Sequence, residues 1–132
     1  MPGGRDLERL IRQLQPELNQ GEYVFCQLGP GDNLAAPELL GWFREKEGIT
    51  AILPRDRADA LHLSYSLVCA WITLGVISSL EAIGLTSAVS QALTGARISC
   101  NVVAACFHDH LFVPAKDAER ALEVLQEMMR RE

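Results

Sequence analysis

The sequence has no run of about twenty apolar residues, so no transmembrane helix is expected. Its longest apolar stretch, Leu67 to Ile77, is about half that length and contains Thr73 and Gly75. It has no cluster of lysines and arginines. Twelve basic against seventeen acidic side chains leave a net charge of −5, and a field of that sign repels phosphate backbones, so no nucleic-acid partner is expected. The first residues, Met1-Pro-Gly-Gly-Arg-Asp-Leu-Glu-Arg-Leu10, lack the unbroken hydrophobic stretch of a secretory signal, which points to the cytoplasm. Cysteines are few and scattered. Cys26, Cys69, Cys100 and Cys106 form no Cys-x-x-Cys pair and read as free, buried thiols rather than disulfides. There is no Gly-x-Ser-x-Gly, no Gly-x-x-x-x-Gly-Lys and no His-Glu-x-x-His, so an enzyme of familiar type is not expected, nor is a cofactor.

What remains is a chain of 132 residues, 48% apolar and 22% charged, enough for one compact domain or two small halves. Leu7, Leu10, Ile11 and Leu14 form an apolar stripe at offsets of three and four, predicting an amphipathic helix that ends near Pro16. Tyr23–Leu28 and Ile49–Leu53 read as strands, with turn chemistry at Glu45-Lys-Glu-Gly48 between them. Residues 35–44 are ambiguous, with Trp42 and Phe43 suggesting a strand or helical turn and, like Trp71, a place in the core. Pro54 opens a short helix. Leu67–Ile77 reads as a central strand, Leu85–Leu93 as a helix after Gly84, and Ile98–Cys106 and Leu111–Val113 as a hairpin. Pro114 then opens a final helix through Met129.

The second half therefore reads β-α-β-β-α. An apolar strand, a proline and an alanine–acid pair four residues on occur at Pro54 with Ala58-Asp59, and again sixty positions later at Pro114 with Ala118-Glu119. Such an echo suggests a duplicated α+β unit.

The run Ser78-Ser-Leu-Glu-Ala-Ile-Gly-Leu-Thr86, then Gly95-Ala-Arg-Ile-Ser-Cys-Asn-Val102 and Phe107-His-Asp-His-Leu-Phe-Val-Pro114, resembles the ACT domain family. More narrowly the chain is similar to small bacterial proteins of unassigned function built from tandem ACT-like units. The resemblance implies an α+β fold of ferredoxin-like βαββαβ units, with antiparallel sheets and helices packed on one face. The halves would fall at about 17–65 and 66–132, preceded by a helix over about 5–16. It also implies regulation rather than catalysis, with an amino acid or similar small zwitterion bound at an interface between ACT units, a homodimer, and a regulated enzyme on a separate chain.

Residue chemistry fits that expectation. Gly84 before a helix allows close backbone approach, and the free N–H groups of Leu85, Thr86 and Ser87 would face an anion such as a carboxylate. Asp109, matching an aspartate that faces the ligand in amino-acid-sensing relatives, would take the ammonium, flanked by His108 and His110. Each candidate has a plainer reading. Gly84-Leu85-Thr86 could be an ordinary helix start, and His108-Asp109-His110 a polar hairpin tip. Glu81 could meet a ligand amine or simply be solvated. A protein that has lost its ligand and serves only as an interaction module would pair Asp109 internally, with Arg97 for example. A metal-binding protein would use His108, Asp109 and His110, yet His62 is the only other histidine in the chain.

Overall fold

The computed structural model describes residues 2–30, 32 and 38–131, so only part of the ambiguous 35–44 segment falls within it. In chain order the elements are α1 (Pro2–Arg12), β1 (Pro16–Leu18), β2 (Tyr23–Leu28), β3 (Gly41–Glu45), β4 (Gly48–Pro54), α2 (Arg55–Ala60) and β5 (Val68–Leu74). They are followed by α3 (Leu85–Gly95), β6 (Asn101–Ala104), β7 (Asp109–Pro114) and, after a single 3-10 turn, α4 (Ala118–Arg130). The chain divides into a smaller unit, Gln20–Cys69, and a larger one made of Met1–Asn19 with Ala70–Glu132.

In the smaller unit the strands run in the order β3-β4-β2, and Val68 and Cys69 at the start of β5 pair with Val24 and Tyr23. All these pairings are antiparallel. Alternation along β2 and β4 sends Val24, Cys26, Ala51 and Leu53 to one face, where Ala58 of α2 completes a five-residue core. Gly48, at φ 141°, closes the β3–β4 hairpin in a conformation that side chains resist.

The larger unit orders its strands β1-β5-β7-β6. Ala70, Ile72 and Leu74 of β5 and Leu111 and Val113 of β7 face Leu10 and Leu14 of the first segment, Leu85, Val89 and Leu93 of α3, and Ala121 and Leu125 of α4. Trp71, Thr73, His110 and Phe112 alternate to the other face of the sheet. Counted from β2 in the smaller unit and from β5 in the larger, with β1 filling the larger unit's last place, both units have the ferredoxin-like order 2-3-1-4. In the larger unit the fourth strand is β1, which pairs Pro16, Glu17 and Leu18 with Leu74, Thr73 and Ile72 of β5. Three residues are too short for a periodicity signal, so the sequence did not announce this strand.

The echo at sixty residues has a conformational counterpart. Pro54 (φ −59°, ψ 141°) and Pro114 (φ −54°, ψ 136°) each end a strand and precede a helical turn in nearly the same geometry. Several expectations need correction. Trp42 and Phe43 are not core residues. They are 50% and 73% exposed on β3, which pairs only with β4 among the described residues. Trp71 is half-buried and stacks on Phe112 with ring centroids 6.5 Å apart. The strand expected over Ile98–Cys106 is confined to Asn101–Ala104. Cys106 is therefore exposed in the following turn and Cys100 only partly buried, whereas Cys26 and Cys69 are buried and all four thiols are free. Asp109 and His110 are not a hairpin tip. They lie inside β7, and the turn falls earlier, closed by the Ala105 N–H donating to the His108 carbonyl at 3.1 Å.

Candidate functional site

The segments singled out in the sequence meet in the larger unit through Ser78, in the loop between β5 and α3. Its backbone N–H donates to the Phe107 carbonyl at 3.2 Å, and its hydroxyl donates to Asp109 Oδ2 at 3.5 Å. Asp109 is only 6% exposed, because its alternation places it on the same side of β7 as the core residues Leu111 and Val113. That long bond is weak support for a buried carboxylate. Burial pushes the Asp109 carboxyl up from the ordinary range, against the opposing pull of the Ser78 hydrogen bond and the neighbouring imidazoles. Among the described residues no ion pair joins Asp109 to Arg97, so the internal pairing expected of a ligand-free module is not formed.

The two histidines are engaged with the protein itself. His108 Nδ1–H donates to the Leu74 carbonyl at 3.1 Å and is shared with that of Val76 at 3.3 Å. His110 has the opposite tautomer. The Trp71 indole N–H can only donate, so at 3.1 Å it requires His110 Nδ1 to accept. The Thr73 hydroxyl, which accepts from the Asn19 amide at 2.9 Å, also donates to that nitrogen at 3.1 Å. Burial holds the His110 imidazole below its ordinary pKa, reinforced by His108 and partly offset by Asp109. A proton on Nδ1 would also have to displace two donors. Asp109 and His110 leave β7 on opposite faces, and among the described residues no three His, Cys, Asp or Glu side chains converge as a metal site. The metal reading therefore loses its geometry.

Gly84 starts α3 at φ 97°, which accounts for a glycine there on conformational grounds. A Cβ at this position would come within 3.1 Å of Leu7 on α1, so the close approach that Gly84 allows is used by that helix. Leu85 points into the core at 2% exposure and Thr86 is exposed, and no side chain caps the helix start. Beside this turn lies a cleft of about 410 Å³ between α1 and residues 77–83, whose lining includes Asp6, Leu7, Arg9, Ser78 and Glu81. Neither Asp6 nor Arg9 is singled out by the sequence. No spacing rule places a helix at one end of the chain against a loop seventy residues away.

Two regions match the ACT domain family, residues 2–70 and residues 66–127. No curated protein matches the chain. A solved protein of unknown function from Vibrio cholerae, described as a possible transport protein, is 39% identical over 97% of this chain and 99% of its own, with a TM-score of 0.83. A protein from Agrobacterium tumefaciens shares the fold at 18% identity, covering 89% of this chain and 90% of its own, with a TM-score of 0.70. The ligand-free regulatory subunit of aspartate kinase from Thermus thermophilus does so at 11% identity, covering 86% and 95%, with a TM-score of 0.62. ACT domains are regulatory modules rather than catalysts. With two matching regions in succession and two units of one strand order, the chain belongs to the ACT domain family and carries it in tandem.

Proposed function

We propose that this protein is an amino-acid-responsive regulator: it binds a free amino acid or similar small zwitterion and, as a cytoplasmic homodimer, controls an enzyme on a separate chain. The observation that carries this reading is Asp109, a largely buried carboxyl with one long hydrogen bond, next to the loop that opens α3. A fold gains nothing from such a group, and an ammonium ion delivered by a ligand would stabilise its charged form. The ligand would act by population shift, favouring whichever arrangement of the module it contacts best. Gly84, Leu85 and Thr86 contribute backbone donors at the same turn in this reading, and His108 and His110 fix the flanks of Asp109.

The test is a thermal-shift series with the twenty amino acids at millimolar concentration. A ligand at about one hundred times its Kd adds roughly 2.7 kcal/mol, several degrees in a chain of this size. A shift for one or a few amino acids that is lost in Asp109→Ala is the expected result. A second reading, a ligand-free interaction module, is favoured by Trp42 and Phe43 standing exposed on β3. Flat curves for all twenty amino acids, with a change of oligomeric state in Phe43→Ser, would select it.

A further inference from the structure

Three helices cover the core of the larger unit, and one of them differs from the others in kind. The exposed positions of α1 from Asp6 onward are all charged, and so are five of the six exposed positions of α4. α3 exposes Thr86, Ser87, Gln91, Thr94 and Gly95, and has no charged residue at all. A helix that faces water normally carries charge on that face. The centre of a protein interface is where charge is scarce, because a buried charge must be desolvated. Along α3 runs a groove. Its first part, about 450 Å³, lies between Ile11 of α1, Ala88 and Ala92 of α3 and Met128 of α4. Its second part, about 410 Å³, continues past Ala92 to Gly95, Ala96 and Val124. The two parts share Ala92, Met128 and Arg131, and the remaining charges divide between the ends. Glu8 and Arg12 border only the first part, whereas Arg120, Glu123 and Glu127 border only the second.

We infer that this helical face is where two copies of the chain meet, with α3 of one lying antiparallel against α3 of its mate across a two-fold axis close to Ala92. The inference rests on the homodimer proposed above and names its surface. An isologous contact must be complementary to itself. α3 meets that demand in shape, because its uncharged ridge, Ser87, Gln91 and Thr94, can seat in the mate's groove while its own groove receives the mate's ridge. It meets the demand in charge as well. Turning the groove end for end lays Glu8 and Arg12 of one copy over Arg120 and Glu123 of the other, acid to base at both ends. Ends of mixed sign in matching sets select a copy of this chain over a partner whose docking surface is of one sign. Met128, flexible and polarisable, lets the wall adapt to the ridge that enters.

Sedimentation equilibrium of the full chain over a wide concentration range gives the dimer Kd and tests this. A residue on the axis faces its own copy, so Ala92→Glu sets two carboxylates together and should raise the Kd at least about a hundredfold. Asp56→Lys, an exposed charge change on α2, should leave it unchanged. Arg12→Glu and Glu123→Arg should each weaken the dimer about tenfold, because each change acts twice in a symmetric pair, and the double variant should restore the wild-type Kd. If Ala92→Glu fails to fold, Gly95→Trp replaces it. A Cβ at Gly95 meets nothing within 4 Å, so the fold is spared while the indole blocks the groove, and the Kd should rise about tenfold or more. A monomer at every concentration, or a dimer indifferent to Ala92→Glu, Gly95→Trp and the charge exchange, overturns the inference. Loss of the dimer in Phe43→Ser alone overturns it too and moves the contact to β3. The thermal-shift series reads the amino-acid response separately, so a ligand shift in a chain that fails these tests leaves the regulatory reading standing.

Discussion

The two units share a strand order but differ where the larger one is polar. Counting back sixty positions along the echo, Pro114 corresponds to Pro54, and His108, Asp109 and His110 correspond to Gly48, Ile49 and Thr50. The smaller unit builds the same strand with an isoleucine where the larger has a mostly buried carboxyl. The fold therefore does not require a carboxyl at this place. The cores differ too. Fourteen buried residues make the larger core, whereas five make the smaller, with a helix of only six residues. A small core has fewer neighbours to share a loss.

The largest effects should come from breaking each core separately. Leu125→Ala and Leu53→Ala remove fully buried side chains and should each cost about 2–5 kcal/mol. Thiol labelling distinguishes the regions, since Cys26 is buried in the smaller core and Cys100 packs against the larger, where burial raises its thiol pKa to about 11. Leu53→Ala should speed labelling of Cys26 and leave Cys100 slow, and Leu125→Ala the reverse. Equal acceleration of both thiols in either variant would erase the contrast between the cores.

A smaller effect, of opposite sign, is expected from carrying the smaller unit's residue into the larger. Asp109→Ile should stabilise the protein by about 1–3 kcal/mol, the cost of an under-paired buried polar group. Ligand-dependent shifts should vanish in the same variant. A drop in Tm would mean that the carboxyl is well satisfied and that the comparison misjudges it. Gly84→Ala should destabilise by about 1–2 kcal/mol, because a Cβ is strained at φ 97° and meets Leu7. Urea denaturation would show whether the midpoint falls.

The smallest effect concerns pH, and the two neighbours pull in opposite directions. His110 is held below its ordinary value of 6.5, so its contribution is present above that pH and is lost as pH falls through the lower folded value. Asp109 is held above its ordinary 3.8, so the penalty on its charge is absent below that pH and grows as pH rises through the folded value. His110→Gln should flatten the decline in Tm below pH 6.5, and Asp109→Asn should gain more over the wild type at pH 7 than near pH 3.5. Parallel curves for wild type and both variants would show that neither environment is what the structure indicates.

Much of this architecture was legible in the sequence because it rests on period. The stripe Leu7–Leu14 and the helix after Gly84 each announce one face of one element, the β-forming residues Tyr23–Leu28 between Gly21 and Gly29 announce a strand, and the structure places each as an element of that kind. Trp42 and Phe43 were misread because an apolar residue on an edge strand looks in sequence like one in a core. The burial of Asp109 was also hidden, since His108-Asp109-His110 has the composition of a turn and only the register of β7 turns the aspartate inward. Gly84, Asp109 and the histidines could be singled out one by one. Arg9 and Asp6 could not, because what makes them interesting is the loop they face across the fold.

One consequence follows from β1, the strand at Pro16–Leu18 that completes the larger sheet from the far end of the chain. During synthesis the segment up to Asn19 is made before the smaller unit, yet its partners in β5, α3 and α4 appear only after residue 69. The smaller unit can be completed while that leading segment, with its exposed apolar stripe, still waits. Such non-local closure slows folding and lengthens the interval in which a bare strand edge can pair wrongly. A segment made before the smaller unit is thus among the last to find its place.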